Sequence, residues 1–308
     1  MRQKVTVFGS FVVDMMARTP HLPVPGETVR GSLFKQGAGG KGFNQGIAAH
    51  KAGADVVMIT KVGKDLMANV AYDAMAEVGL SKDHVFVNEE VATGVALISV
   101  DENTSQNEIV IVPGACNTIT DADIAKVEPL IKSSAYVLLQ LEVNQDANEK
   151  VAQLCKDNGV RLIINTAPYQ PMTDEFLKGA YLVTPNEVEA EELTGIPVKD
   201  LDSADRAAKV FFEKGVENVL ITLGSRGVYV ATREESRIIP GFKVQAVDTT
   251  GAGDAFNGGF LTALSEGKDM WEAVRFAQAL AALSVQRMGT TASMPTRAEI
   301  DAFLAQQA

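Results

Sequence analysis

Tyr136-Val137-Leu138-Leu139-Gln140-Leu141 is a nearly continuous apolar run of strand length. It is followed by a polar helical stretch from Asp146 to Asn158, a stop at Gly159 and a second apolar run from Val160 to Asn165. Solid apolar runs mark strands buried on both faces, and a helix of ten or more residues between two of them reads as the crossover of a parallel βαβ unit. The same texture extends outward. On the C-terminal side come a strand at Tyr181 to Thr184, a helix from Glu187 to Thr194 stopped by Gly195, a helix from Ser203 to Lys214 and a strand at Asn218 to Leu223. On the N-terminal side, Leu66, Val70, Met75 and Val78 lie near helical spacing within Asp65 to Gly79, and Val5-Thr6-Val7-Phe8-Gly9 reads as a buried first strand. The expected fold class is α/β: a doubly wound, mostly parallel sheet with helices on both faces, with ligands at the carboxyl ends of its strands.

Two segments break the alternation. From about Phe11 to Gln36 the chain carries Pro20, Pro23, Pro25 and several glycines, with short alternating runs that suggest small strands. Between Thr93 and Val112, the runs Val95 to Val100 and Glu108 to Val112 flank the polar turn Asp101-Glu102-Asn103, which reads as a hairpin. Together they suggest a β-sheet lid. The expected division is a body of residues 1–10, 38–92 and 113–308 and a lid of residues 11–37 and 93–112.

The 308 residues hold 28 Lys plus Arg against 39 Asp plus Glu, a formal charge of −11 that speaks against a nucleic-acid partner. An acidic chain binds a small anion only through local donors such as backbone amides, a lysine or a divalent cation. Cys116 and Cys155 form no close pair, and with three histidines a Cys/His zinc site is improbable, so a reducing cytoplasm is the expected setting. The apolar stretch Val5 to Val13 is interrupted by Gly9-Ser10 and closed by Asp14; it is too short for a membrane span and lacks a signal-peptide cleavage pattern.

The strongest local signal is Asp248-Thr249-Thr250-Gly251-Ala252-Gly253-Asp254, after which Phe256, Phe260, Leu261 and Leu264 fall at helical spacing. Small residues at a helix start leave backbone N–H groups directed outward with no side chain in the way, which suits an anion. Beside a phosphate, Asp254 could accept a proton from an attacking hydroxyl. An N-cap aspartate after a glycine turn is the other reading, and both stay open at this point.

Gly37-Ala38-Gly39-Gly40-Lys41-Gly42-Phe43-Asn44 leads into the helical pattern of Gln45 to Ala52 and formally contains G-x-G-x-x-G. A dinucleotide site is rejected because no clear strand precedes it and the next acidic residue, Asp55, stands only thirteen positions after Gly42. A Walker loop is excluded by Gly42 after Lys41 and by Lys35 in place of the first glycine. Lys41 and Asn44 at a helix N-terminus would suit a hydroxylated ligand; a plain helix start is the alternative. In Thr184-Pro185-Asn186-Glu187-Val188-Glu189, Asn186 and Glu189 share a helical face and could hold a hydrated Mg²⁺, although a Glu in a first turn commonly just complements the helix dipole. Thr222-Leu223-Gly224-Ser225-Arg226-Gly227 is a glycine turn at a strand end, where nucleotide phosphates sit in parallel sheets.

These segments, in this order and with Gly9-Ser10 and Asp14 ahead of them, resemble the ribokinase family of PfkB-type carbohydrate kinases from Val5 to Phe303. The resemblance implies a ribokinase-like fold with a lid, dimerisation through that lid, and ATP and Mg²⁺ as cofactors with K⁺ as activator. It implies sugar contacts from Asp14, Gly40, Lys41, Asn44 and Glu142, Asp254 as the base, and Gly251, Ala252 and Gly253 as the anion hole. Asn186, Thr222, Gly224, Ser225, Gly227, Gly253 and Gln278 would contact the nucleotide, and Asn186 and Glu189 would handle Mg²⁺ indirectly. A monovalent-cation site would involve Asp248, Thr250, Ser284, Arg287, Gly289 and Ser293, mostly through backbone carbonyls.

One departure concerns the first strand end. Ribokinases read Gly-Ser-x-Asn-x-Asp there, and this chain reads Gly9-Ser10-Phe11-Val12-Val13-Asp14. Val12 replaces an amide that would bond a ribose hydroxyl, and a buried hydroxyl without its partner costs about 1–3 kcal/mol. The expected activity is therefore transfer of the γ-phosphoryl group of ATP to a primary hydroxyl of a pentose, either ribose to ribose 5-phosphate or 2-deoxyribose. The alternatives are a nucleoside or other-sugar kinase of the family, for which Phe11 and Phe43 are candidate aromatic contacts, and a sensor that binds sugar or nucleotide without catalysis.

Overall fold

The computed structural model describes residues 2–104 and 106–307. Among them, a nine-stranded sheet and a four-stranded sheet carry the architecture. The first half of the chain supplies β1 (Lys4–Phe8), β2 (Val12–Thr19), β3 (Leu33–Gly39), α1 (Lys41–Lys51), β4 (Asp55–Gly63) and α2 (Ala68–Val78). Then follow β5 (Val85–Asn88), β6 (Thr93–Asp101), β7 (Asn107–Gly114), α3 (Asp121–Ser133), β8 (Tyr136–Leu139) and α4 (Gln145–Asp157). The second half adds β9 (Arg161–Ile164), α5 (Asp174–Leu177), β10 (Leu182–Val183), α6 (Glu187–Thr194), α7 (Leu201–Glu213) and β11 (Asn218–Thr222). It closes with β12 (Val228–Ala231), β13 (Ser236–Ile239), α8 (Ala252–Ser265), α9 (Met270–Ser284) and α10 (Arg297–Gln306).

The large sheet has the order β13-β12-β11-β10-β9-β8-β1-β4-β5. From β5 through β11 every pairing is parallel, and only the β11–β12 and β12–β13 pairings at one edge are antiparallel. Alternation along single strands explains the solid apolar runs. On β1, Val5 and Val7 face one apolar layer and Phe8 the other; on β8, Tyr136 and Leu138 face the first and Val137 and Leu139 the second. Helices α1, α8 and α9 contribute to the first layer, and α3, α4 and α7 to the second. With both faces covered, no polar alternation is left to read.

The small sheet has the order β3-β2-β6-β7, with β2 and β6 parallel and the two outer pairings antiparallel. It corrects one step of the sequence reading: a strand does precede the glycine motif, because β3 runs through Gly37 and Gly39. That strand is antiparallel to β2 in the small sheet, so the motif still opens no dinucleotide-binding βαβ unit. The helix after it starts at Lys41, four residues ahead of the expected periodicity, with Gly40 as N-cap at φ 91°. Among the described residues no helix is long and apolar enough to cross a membrane.

Candidate active site

The N-terminus of α8 is built on Gly251, the N-cap, whose φ of 76° lies in the left-handed region. The Ala252 N–H reaches Thr249 O at 3.2 Å, whereas the N–H groups of Gly251 and Gly253 find no acceptor among the described residues. Nothing stands within 4 Å of the position a Cβ would take at Gly253, so this face of the turn is open. Asp254 follows in the first turn and does not cap the helix. Its carboxylate is held from α1: Asn44 Nδ2 donates to Oδ2 at 3.0 Å and Gln45 Nε2 to Oδ1 at 2.9 Å. The N-cap reading of Asp254 is thereby corrected.

The start of α1 approaches the end of β1 so closely that a Cβ at Gly42 would lie 2.6 Å from Gly9 Cα. This contact places Lys41 beside the strand ends. Glu142 Oε2 accepts the Lys41 backbone N–H at 2.8 Å and the Ser10 hydroxyl at 2.6 Å. Asp14 projects from β2 into space that Gly39 leaves free, since a Cβ there would be 2.2 Å from Asp14 Oδ1. The Thr290 hydroxyl lies 3.3 Å from Asp14 Oδ2. Asp14, Gly40, Lys41, Asn44, Glu142 and Asp254 therefore converge on one cluster.

Its charges are unevenly balanced. Burial pushes the Asp14 carboxyl up to about 6, opposed by the Thr290 hydroxyl and reinforced by the carboxylates of Glu142 and Asp254. Burial works against the Lys41 ammonium, but Asp254, Glu142 and Glu189 outweigh it and raise its pKa above that of an ordinary lysine. A site with carboxylates, one firmly charged lysine and free backbone amides can bind hydroxyls and also offset developing negative charge.

Asn186 and Thr222 are joined by a parallel bridge, and the Thr222 N–H donates to Pro185 O at 3.0 Å. Gly224, Ser225 and Arg226 form a 3-10 turn that ends at Gly227, whose φ is 111°. Gln278 joins this group through Ile239, whose carbonyl accepts its Nε2 at 2.8 Å and lies 2.1 Å from a Cβ built on Gly227. The Gln278 amide oxygen is buried without a partner. Asn186 and Glu189 form a reciprocal capping box: Asn186 Oδ1 accepts the Glu189 N–H and Glu189 Oε2 accepts the Asn186 N–H, both at 2.9 Å. Burial raises the Glu189 pKa, opposed by the Asn186 N–H and Lys41.

Asp248 ties two loops together, accepting the Thr250 N–H and the Gly289 N–H at 3.0 Å each. Those amides, with Arg18 at longer range, outweigh burial and keep its carboxyl below the usual range. The Ser284 hydroxyl bonds Ala281 O, the Ser293 hydroxyl bonds Thr290 O, and the Arg287 guanidinium pairs with Glu299. These three side chains are thus turned to local partners. Among the described residues no cluster of three or more His, Cys, Asp or Glu side chains is arranged to hold a metal.

Phe11 and Phe43 do not contact a ligand cleft. Both are fully buried and pack edge to face at 4.9 Å in the core, which removes the aromatic support for a nucleobase site. Val12, in contrast, lines a cleft with Ile111, Asn117, Glu142 and Gln170. The sequence reading also passes over Gln45, Asn165, Thr290 and Thr291. Only Gln45 carried a signal, its adjacency to Asn44 in the glycine motif.

Comparison with known proteins gives the family. Residues 2–297 match the profile described as pfkB family carbohydrate kinase. Ribokinase from Haemophilus influenzae is 44% identical over 304 residues, covering 99% of both chains. Deoxyribokinase from Salmonella typhi is 35% identical over 301 residues, covering 97% of this chain and 98% of that one. The structure of Arabidopsis thaliana ribokinase complexed with ribose and ATP superimposes with a TM-score of 0.91 at 32% identity, over 99% of each chain. With the profile spanning nearly the whole sequence and relatives of this identity covering both chains, this chain belongs to the pfkB family of carbohydrate kinases.

Proposed function

We propose that the chain transfers the γ-phosphoryl group of ATP to a primary hydroxyl of a pentose, ribose or 2-deoxyribose. The observation that carries this reading is Asp254 in the first turn of α8, beside the unpaired N–H groups of Gly251 and Gly253 and within the charge cluster of Asp14, Lys41 and Glu142. A non-catalytic sensor has no use for a carboxylate held at an anion-binding turn.

In this mechanism Asp14, Gly40, Lys41, Asn44 and Glu142 orient the sugar, and Asp254 removes the proton of the attacking hydroxyl. The Gly251, Ala252 and Gly253 segment and Lys41 offset charge on the transferring group. Asn186, Thr222, Gly224, Ser225, Gly227 and Gln278 hold the nucleotide, with Gly253 at its phosphate end. The Asn186–Glu189 pair fits a hydrated Mg²⁺ rather than a directly ligated one, because the capping box occupies one oxygen of each side chain and leaves Glu189 Oε1 free to accept from bound water. Mg²⁺ supplies charge neutralisation on the phosphates. Asp248, Thr250, Ser284, Arg287, Gly289 and Ser293, mostly through their backbone carbonyls, would hold a weakly hydrated K⁺, which would order the anion-hole loop.

Residues 11–37 and 93–112 act as the lid that excludes water from the sugar, over the body of residues 1–10, 38–92 and 113–308. On one face the small sheet exposes Phe34, Leu97, Val110 and Val112, an apolar patch suited to a second copy and thus to a homodimer through the lid. A cytoplasmic setting accords with two buried free cysteines, and the charge of −11 with no nucleic-acid partner.

Between the two sugars, the relatives divide: one is called a ribokinase and the other a deoxyribokinase. Val12 in the cleft beside Glu142 gives 2-deoxyribose an apolar contact where a 2-hydroxyl would lose a partner. Coupled measurement of ADP release over ribose, 2-deoxyribose, fructose and nucleosides tests the reading. Release with both pentoses and little with nucleosides is expected. Ligand-induced thermal shifts without ADP release from any sugar would contradict it.

A further inference from the structure

Asp254 is held by amides, and the orientation of those amides propagates through a buried circuit. An ionised carboxylate only accepts hydrogen bonds, so the nitrogen ends of Asn44 and Gln45 must face Asp254. With Gln45 Nε2 committed, Gln45 Oε1 accepts from Gln140 Nε2 at 2.6 Å. The same Gln45 nitrogen also donates to Asn165 Oδ1 at 3.0 Å, which turns Asn165 Nδ2 to Thr184 O at 3.0 Å. The Thr184 hydroxyl donates to Asn257 Oδ1 at 2.7 Å, and Asn257 Nδ2 donates to Gly253 O at 2.8 Å. The path leaves the carboxylate of Asp254 and returns to the carbonyl of the residue before it. It crosses α1, the residues just after β9 and β10, and α8.

Gln45, Gln140, Asn165, Thr184 and Asn257 are all more than nine-tenths buried. Burying this many polar groups is costly unless they are paired; apart from Gln140 Oε1, which is buried without a partner, the side-chain polar atoms of these five residues all find one, and such a network specifies one arrangement. A loosely held base loses rate steeply, because proton removal requires the carboxylate within hydrogen-bond reach of the attacking hydroxyl.

We propose that Gln45 is a positioning residue that locks the Asp254 carboxylate in register with the anion-binding turn, as the branch point of this buried amide circuit. Resting on the assignment of Asp254 as base in the proposed function, the inference assigns Gln45 no contact with sugar or nucleotide. It also ties the strand end that leads into Thr184-Pro185-Asn186, on the nucleotide side, to the base on the sugar side.

The test uses the intact protein and three variants. Gln45→Met keeps the length of the side chain and removes its polar atoms, Gln45→Glu sets a carboxyl against Asp254, and Thr184→Val breaks only the far arm. The charged groups around Asp254 are Asp14 on β2, Lys41 on α1, Glu142 after β8 and Glu189 on α6, and all remain in each variant. Expected is a kcat lower by about 10- to 100-fold in Gln45→Met with a pentose KM within about threefold of wild type. In Gln45→Glu the acidic limb of the kcat/KM profile moves to higher pH, by about one unit or more, because two facing carboxylates resist full ionisation. Thr184→Val lowers kcat by about three- to tenfold without moving that limb, and as a near-isosteric change it keeps the claim testable if the Gln45 variants fold poorly. Equal loss in both Gln45 variants with an unmoved limb, or wild-type kcat in folded Gln45→Met or Thr184→Val, overturns the inference alone. Absence of pentose-dependent ADP release in the wild type overturns the proposed function and this inference together.

Discussion

Asn44 Nδ2 lies 3.0 Å from Asp254 Oδ2, joining α1 to the first turn of α8 across 210 positions of sequence. Its Oδ1 accepts from the Thr291 hydroxyl at 2.8 Å, so Asn44 is clamped from both ends. In the proposed mechanism this residue both contacts the sugar and orients the base. Asn44→Ala should therefore lower kcat by about 10- to 100-fold and also raise the pentose KM, in contrast to the kcat-selective loss expected at Gln45. Steady-state kinetics of the folded variant check this, and a pure KM effect would remove the orienting role.

Gly253 separates stability from function. A Cβ there meets nothing within 4 Å, and the residue stands in the first turn of α8, where alanine is the better helix former. Gly253→Ala should therefore leave the thermal midpoint unchanged or slightly raised, while the methyl group obstructs the phosphate and lowers kcat/KM for ATP by at least about tenfold. Unimpaired ATP kinetics would mean that no phosphate approaches this turn.

Asp14 makes the site sensitive to pH. With its carboxyl pushed up to about 6 from 3.8, it contributes stability that is complete below about 4 and is lost as the pH rises through about 6. Asp14→Asn escapes that loss, so its thermal midpoint should gain on the wild type between pH 4 and 7. Sugar binding has the opposite sense: the pentose KM of the wild type should rise as the pH falls below about 6, because a protonated carboxyl is a poorer acceptor for sugar hydroxyls. A wild-type KM that is flat from pH 5 to 8 would contradict this role.

The legible parts of the chain were those whose physics is local. Helix α6 matches its expected bounds of Glu187 to Thr194 because Asn186 and Glu189 form a capping box and Gly195 ends it at φ 71°. Strands β1, β8, β9 and β11 read as solid apolar runs because both faces are covered. Glycines hid β3: the turn-like string Gly37 to Gly40 is extended as far as Gly39 because pairing with β2 overrides local preference. Phe11 and Phe43 misled for a similar reason, since which face a residue presents depends on tertiary packing. Gln45, Gln140 and Asn165 were invisible as a group because they lie in three separate segments, and only the sheet order brings them together.

The loops around Asp248 yield a contrast between a side chain and a backbone. The Arg287 guanidinium pairs with Glu299 at the surface, with both side chains about two-fifths exposed, so the pair contributes at most about 1 kcal/mol. Arg287→Ala should leave the proposed activation by K⁺ intact. Asp248→Ala releases the Thr250 and Gly289 amides from their shared acceptor and should reduce K⁺ activation along with kcat. Titration of activity with KCl at constant ionic strength distinguishes them; loss of activation in Arg287→Ala would place its side chain in the site.

The account depends above all on Asp254 as the base. The decisive measurement is pentose-dependent ADP formation by Asp254→Asn, alongside calorimetric binding of the pentose and of ATP. An amide preserves the shape but takes up no proton, so turnover should fall by about 10²- to 10⁴-fold with both affinities largely retained. Turnover equal to that of the wild type in a folded Asp254→Asn protein would contradict the account.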